Sequence, residues 1–445
     1  MPQAFLHPSE NQSKNRKLIL IIPGVSNFLK RVLLRIFMNS YGSFPLYILP
    51  ALTPPHYYIK IFSQKVFWLD RDFEGGALVG ISCATSNVHE GYKIADRFRK
   101  AGSVVVLGGI HVSCLPEEAL EHADVVVIGE AESVWPEVVR DYENGSLKKI
   151  YRGQPLDDYF SPCYPYFLTI DPKLFYKSGL LLSRGCKYQC EFCAPHEKKV
   201  RFIKHEQAVE LIRRVAQAQK HPFGIKPTIL LQDDNIFSDP DRARNLFKAM
   251  IPMKVHWIGN SSIDIAFDEE ALRLAKESGC VLLFIGFESI YPRTLPKTSV
   301  GHMTKAEDYL RPIRKMRSYG IKVMGAFILG LDHCTHKYYL ELILFLIRAR
   351  LFMVSLTILT PFPGSPIYER MKAENRIITN DWRKYDGVFR VVFQPRHMSV
   401  TALYLWFIVV RLVGFLASSV FLVILFILLV PPYIIFPLLR NILHH

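Results

Sequence analysis

The chain has 445 residues, 55 Lys and Arg against 40 Asp and Glu for a formal charge of +15, and half of its residues are hydrophobic. Such a length holds two or three domains, and such an apolar content excludes a disordered chain or a small disulfide scaffold. A basic balance points to nucleic acid or an anionic membrane surface; with a mean hydropathy of +0.14 and no recognisable nucleic-acid module, the membrane is favoured.

The first residues, MPQAFLHPSENQSKNRK, are polar, and the apolar run behind them is short and broken by proline, so no signal peptide is expected. Residues 1–145 alternate β-branched runs with amphipathic helical stretches. The runs are KLILII from Lys17, YYIKIF from Tyr57, ALVGIS from Ala77, SVVVLGG from Ser103 and DVVVIGE from Asp124. EGYKIADRFRKAG from Glu90 and PEEALEHA from Pro116 have the spacing of crossover helices, and the rhythm predicts an α/β doubly wound parallel sheet. FLKRVLLRIF from Phe28 reads as a further crossover helix, with a basic membrane-facing surface as the alternative.

Pro155, Pro162, Pro165 and Pro172 make residues 146–179 a linker. A second αβ series occupies residues 180–400, with strands expected at LLLS from Leu180, TILLQ from Thr228, VHWIGN from Val255, VLLFIG from Val281, KVMGAFILG from Lys322 and MVSLTIL from Met353. Helices are expected between them, from His205, Asp241 and Asp268. Six such units predict a partial (β/α)6 barrel, whose ligand groups belong at the carboxyl ends of the strands.

Behind the first of these strands stands SRGCKYQCEFC, which packs Cys186, Cys190 and Cys193 into eight residues. Three soft thiolates on one loop suit an iron-sulfur cluster or zinc, with His196 able to complete a zinc set. Polar residues follow the other strands: Asp233, Asp234 and Asn235 after the second, Ser262 and Asp264 after the third, Glu288 at the end of the fourth. Helix capping is the alternative for Asp234 and Asn235, and a solvated strand end for Glu288. Cys83 and Cys280 read as small core residues, while Cys334, beside His333 and His336, stands where a second thiol could serve the barrel mouth.

With Phe192 before its last cysteine, this loop resembles that of the radical S-adenosylmethionine (SAM) superfamily. The resemblance implies that Cys186, Cys190 and Cys193 hold a 4Fe-4S cluster whose open iron takes SAM. Reduction, from a donor such as flavodoxin or ferredoxin, would then yield a deoxyadenosyl radical. It further implies that Asp233, Asp234, Asn235, Ser262, Asp264 and Glu288 contact SAM. LVGISCATSN from Leu78, VVLGGIHVSCLPEEALEHADVVVIGEAESVWPEVVRDYENG from Val105 and TPFPGSPIYERM from Thr360 are similar to the cobalamin-binding branch, which includes hopanoid and phosphinate methylases and the anaerobic protoporphyrin cyclase. From this branch follows a corrin near Ser82, Thr85, Gly108, Gly109, His111 and Glu130. No Asp-x-His-x-x-Gly motif follows the first strand, so cobalamin is expected without a histidine lower ligand; an empty scaffold is the alternative. The implied reaction is methylation of an unactivated carbon, with a radical oxidoreductase, cyclase or carbon-carbon bond former second and a non-catalytic corrin or iron-sulfur sensor third.

Residues 401–445 form an apolar tail in which Leu412 to Leu439 carry no charge. Leu412 to Val430 would reach roughly 28 Å as a helix, the thickness of a bilayer core. Pro431 and Pro432 then break the run, so an interfacial segment or a core helix are alternatives to a transmembrane helix. The expected placement is the cytoplasmic face of the membrane, anchored by residues 412–439, or the cytoplasm if the tail is a core helix, with a small-molecule, lipid or polyprenoid substrate.

Overall fold

The computed structural model describes residues 4–6, 16–24, 47–63, 75–175, 179–193, 198–219, 226–295 and 297–418. Among them, β1 (Ala4–Leu6), β2 (Arg16–Ile22), β3 (Tyr57–Ser63), β4 (Ala77–Ser82), β5 (Val104–Gly108), β6 (Val125–Ile128) and β7 (Ile150–Arg152) form one sheet in the order β1-β3-β2-β4-β5-β6-β7. Only β1 runs antiparallel to its neighbour. Leu18, Ile19, Leu78 and Val79 are fully buried, as parallel strands covered on both faces require. The helices α1 (Val88–Lys100), α2 (Ile110–Cys114), α3 (Pro116–His122) and α4 (Trp135–Glu143) connect them. The five expected strands are present, and two short edge strands join them. One of these, β7, lies inside the expected linker, so the first sheet extends past residue 145. FLKRVLLRIF lies outside the described residues.

The second unit has β8 (Ser183–Arg184), β9 (Arg201–Phe202), β10 (Thr228–Leu231), β11 (His256–Ser261), β12 (Cys280–Glu288), β13 (Lys322–Leu329) and β14 (Met353–Ile358). β10 to β14 form a parallel sheet in sequence order, and Leu180 adds the start of LLLS through one parallel bridge to Leu231. Between the strands run α5 (His205–Ala218), α6 (Pro240–Met250), α7 (Glu269–Glu277), α8 (Leu310–Ser318) and α9 (His336–Ala349). Along β12 and β13 buried and half-exposed residues alternate. Phe287 and Phe327 stack with centroids 5.4 Å apart and meet Phe345 of α9 or Tyr309, so the buried set packs toward the helices.

The exit segment ties the units together. In α10 (Pro366–Ala373), the Ile367 amide donates to the Glu191 carbonyl at 3.0 Å. Arg370 pairs with Asp332 and lies 3.2 Å from Glu191, while Arg376 donates to Asp332 at 2.7 Å. TPFPGSPIYERM thus braces the cysteine loop from outside. Further on, Trp382 donates to Glu118 of α3 at 3.0 Å and packs edge-on against His111, 5.2 Å between centroids.

The tail requires correction. The last described helix, α11 (Val400–Leu416), begins before the uncharged run and packs on α9 and β14. Leu403, Phe407 and Val410 are buried there, and Arg411 lies over the rings of Phe389 and Phe407. Residues 401–416 therefore belong to the barrel, and Arg411 does not mark a boundary because its charge is stacked on aromatic faces. Among the described residues no helix is long and apolar enough to cross a membrane; residues 419–439 of the run lie outside them.

Two outcomes follow for stability. Gly109 has φ +96°, and a Cβ there would sit 2.6 Å from the Cys83 carbonyl oxygen, whereas one on Gly108 would meet only Val127 at 3.7 Å. In urea unfolding, Gly109→Ala should cost about 2–3 kcal/mol and Gly108→Ala under about 0.5 kcal/mol. For Asp332, burial acts to raise its carboxyl pKa, but hydrogen bonds from Arg376 and Arg370 outweigh it and hold the group below its ordinary value. Its stabilisation is complete above an unfolded pKa of about 3.9 and fades as pH falls through the lower folded value. Unfolding midpoints followed into acid should drop more steeply in the parent than in Asp332→Asn.

Candidate active site

The cysteine loop is closed at its neck by β8 and β9, where Arg184 and Arg201 are direct antiparallel partners. Two guanidinium groups side by side in a poorly solvated place repel unless they are compensated. The compensation comes from the first unit, from the turn after β6. Arg184 lies 2.7 Å from Glu132 and 3.5 Å from Glu130, and Arg201 makes a two-pronged pair with Glu130. The Tyr159 ring lies 4.4 Å from the Arg184 guanidinium. The neck is therefore fastened to the carboxyl edge of the first sheet.

On the loop, Cys186 and Cys190 are half-buried and Cys193 is exposed. Burial, with Cys193, Glu288 and Cys186 nearby, pushes the Cys190 thiol up to about 12, and burial also raises Cys186. A metal that takes these thiols as ligands displaces their protons. The Gln189 amide donates to the Lys297 carbonyl at 3.0 Å, and the Tyr188 hydroxyl donates to Asp264 at 2.6 Å. Among the described residues no three His, Cys, Asp or Glu side chains converge tightly enough for a single metal ion, and His196 lies outside them.

The strand-end residues divide by what the fold already asks of them. Asp233 is buried and accepts from Ser183 and from the Leu182 amide at 3.4 Å, tying the loop's approach to β10; burial pushes its carboxyl up to about 6. Its side chain is thus structural. Asp264 holds Tyr188 and so orients the cysteine loop. Asp234 is exposed and close enough to Cys186 to raise its thiol. Capping does not explain Asp234 or Asn235, since Asp239 caps α6.

Other groups are left over. Asn235 accepts from the amides of Phe237 and Ser262 at 3.0 and 2.8 Å, while its buried Nδ2 has no partner among the described residues. Ser262 is buried beside the Tyr188 phenol. Glu288 ends β12 at φ +62°, past a bulge in the pairing with β13, and its carboxylate occupies the space a Cβ on Gly286 would need. Burial pushes that carboxyl up to about 7, with no hydrogen bond to offset it. A left-handed backbone at a non-glycine costs about 1–3 kcal/mol and persists where surrounding structure enforces it. An unmet donor and an unmet acid beside three thiols fit the polar groups of SAM bound at a cluster.

Another group was missed from sequence. His333 Nε2 lies 2.7 Å from the Ser289 hydroxyl and is ringed by Tyr291 and Tyr338. Burial lowers its pKa to about 4, leaving the imidazole neutral. Its one sequence signal is its place at a strand end beside Cys334, which is buried with its thiol raised to about 12.

On the first sheet, His111 is buried with Nδ1 3.1 Å from Thr85 and Nε2 3.3 Å from Glu118, which also receives the Tyr92 hydroxyl at 2.9 Å. Both ring nitrogens and Thr85 are thus engaged within the fold. Glu130 is committed to Arg201 and Arg184. The glycine at 109 is required by Cys83 and by the Ser82 hydroxyl, 3.0 Å from where its Cβ would stand. Gly108 is required by no neighbour, which leaves the end of β5 open to a flat ligand and fits a corrin.

Residues 180–346 match the radical SAM superfamily and residues 71–139 the B12 binding domain. The chain is 30% identical over 336 residues to bacteriochlorophyllide d C-12(1)-methyltransferase of Chlorobaculum tepidum, covering 74% of this chain and 73% of that one. It is 26% identical to hopanoid C-2 methylase of Rhodopseudomonas palustris, over 63% of this chain and 54% of that one. The structure of the methyltransferase TsrM from Kitasatospora setae with cobalamin and a [4Fe-4S] cluster has the same fold, at TM-score 0.63 and 17% identity, over 87% and 84% of the two chains. The chain belongs to the cobalamin-binding branch of the radical SAM superfamily and is an enzyme that uses a 4Fe-4S cluster, SAM and cobalamin.

Proposed function

We propose that the enzyme transfers a methyl group to an unactivated carbon of a lipid or polyprenoid substrate, with its uncharged 412–439 run attached to the cytoplasmic face of a membrane. The observation that carries the methyl transfer is the paired neck. Pairs between Arg184 or Arg201 and Glu130 or Glu132 bring the cysteine loop against the carboxyl edge of the first sheet, as a reaction using both halves requires. The relatives named above that are methyltransferases support the same reading. When bound, the cluster, SAM and cobalamin supply a hydrogen-abstracting radical and a methyl donor.

Cys186, Cys190 and Cys193 would hold the iron. Asn235 Nδ2 and the Glu288 carboxylate would bind SAM, with Ser262 and Asp234 at its edges. Tyr188, held by Asp264, keeps the loop facing them. Ser82, Gly108 and the backbone at Glu130 would border the corrin. The neutral His333 and its tyrosines form a wall able to accept a hydrogen bond without adding charge. Radical oxidation or cyclisation is the second reading, favoured by 24% identity to the anaerobic magnesium-protoporphyrin IX monomethyl ester cyclase of Cereibacter sphaeroides over 64% of this chain.

Incubation with methyl-deuterated SAM tests the proposal: label in the product supports methyl transfer, and unlabelled product with deoxyadenosine supports the second reading. Cys186→Ala, Cys190→Ala or Cys193→Ala should each abolish cluster absorbance and deoxyadenosine formation; a colourless, zinc-containing parent protein would overturn the radical chemistry. Glu130→Gln with Glu132→Gln should reduce methyl transfer by about 10²-fold or more, the usual cost of a misplacement near 1 Å, and lower deoxyadenosine formation with it, because the cysteine loop springs from the same pairs.

A further inference from the structure

Exposed apolar residues are not scattered over this molecule. Of the fifteen large hydrophobic residues exposed among the described ones, nine lie on α9 and α11. On α9, Leu340, Leu344 and Ile347 recur at helical spacing with about half or more of their surface exposed. Leu405, Ile408 and Leu412 do the same on α11, each more than 55% exposed. The helices are packed together, with Trp406 against His336 and Tyr339 near their starts, and Gly414 near Leu346 toward their ends. Both run from the carboxyl ends of the barrel strands toward the amino ends. Arg411, the single charge in α11, is folded onto Phe389 and Phe407.

At the amino-end limit of this stripe, Ile347 also lines a concavity of about 430 Å³ whose other walls are Arg314, Arg317, Arg348 and Arg350. Arg348 has one acidic contact, Glu307 at 3.3 Å, and Arg317 donates to the Arg350 carbonyl at 3.3 Å. Arginines at helix ends complement the dipoles of α8 and α9. Arg317 and Arg348 stand in those last turns, and Arg314, a turn earlier, and Arg350, past the end of α9, join them around one hollow.

We propose that this flank is a docking surface for an anionic phospholipid bilayer, with the four arginines receiving headgroup phosphates and the α9/α11 stripe entering the acyl boundary. Apolar residues beside a basic rim are the signature of interfacial binding. The uncharged sequence that continues from Leu412 to Leu439 leaves from the same end of the stripe. A second copy of the chain fits poorly, because a two-fold contact through this patch brings four arginines from each copy and, among the described residues, Glu307 is the acid already paired there with Arg348. The inference rests on the membrane half of the proposed function and is independent of the methyl transfer.

The test is flotation of the purified full chain with vesicles of phosphatidylcholine alone or mixed with phosphatidylglycerol. Each arginine at an anionic surface is worth roughly fivefold in affinity. The parent should bind mixed vesicles far better than neutral ones, and Arg314→Gln, Arg317→Gln and Arg348→Gln combined should lose about 100-fold on mixed vesicles. Leu344→Asn with Ile408→Asn should weaken binding to both. Deoxyadenosine formation, followed in parallel, should stay unchanged and certify the fold. Equal binding to neutral and anionic vesicles would overturn the headgroup site while leaving membrane attachment standing. Absence of binding to either, or a lipid-free dimer that Leu344→Asn dissociates, would overturn both.

Discussion

The seating of the cysteine loop against the first domain depends on four charged side chains. Arg184 and Arg201 face each other across a strand pair of two residues each, and neither could stay poorly solvated beside the other without an acid. Both acids, Glu130 and Glu132, come from the opposite domain. The cysteine loop springs from this pair, with Gly185 at φ +91° turning the chain directly into Cys186. Its orientation is therefore set where the domains meet. Removing one partner would cost about 3–5 kcal/mol and leave a buried charge unmatched.

A second principle of the site is what the fold leaves unused. Asp233, Asp264, His111 and Glu130 all stand at strand ends, and all are consumed by contacts within the protein. Asn235 and Glu288 are not. The difference has a backbone cause at Glu288, where a bulge and a left-handed residue turn the carboxylate back over Gly286. Without the bulge, β12 would keep its alternation and the acid would fall elsewhere. Strain at one position and an unmet amide at another are thus two aspects of a site shaped before its ligand arrives.

Much of this was legible in the sequence. Strands such as VVVLG and VLLFIG announce themselves by unbroken β-branched or apolar runs, and three closely spaced cysteines announce the loop. Edge strands of three residues, such as Ile150–Arg152, carry too little pattern to separate from a linker. Arg184 and Arg201 gave no sign, since their meaning is their partnership with residues more than 50 positions away. The start of the tail at residue 401 was also misplaced, because Val400–Leu416 form a helix packed on the barrel, with Arg411 stacked on Phe389 and Phe407. His333 shows the same limit, because its neutrality comes from tyrosines on other elements.

Trp382 bears on the order in which the molecule is assembled. Its partners, Glu118 and His111, belong to the first domain, so their contacts with it wait until more than 250 further residues have been made. Domains generally fold in order as they leave the ribosome. During synthesis of the barrel, the carboxyl edge of the first sheet is thus without the indole that later lies against it. The exit segment is therefore the last part of the chain to reach that edge.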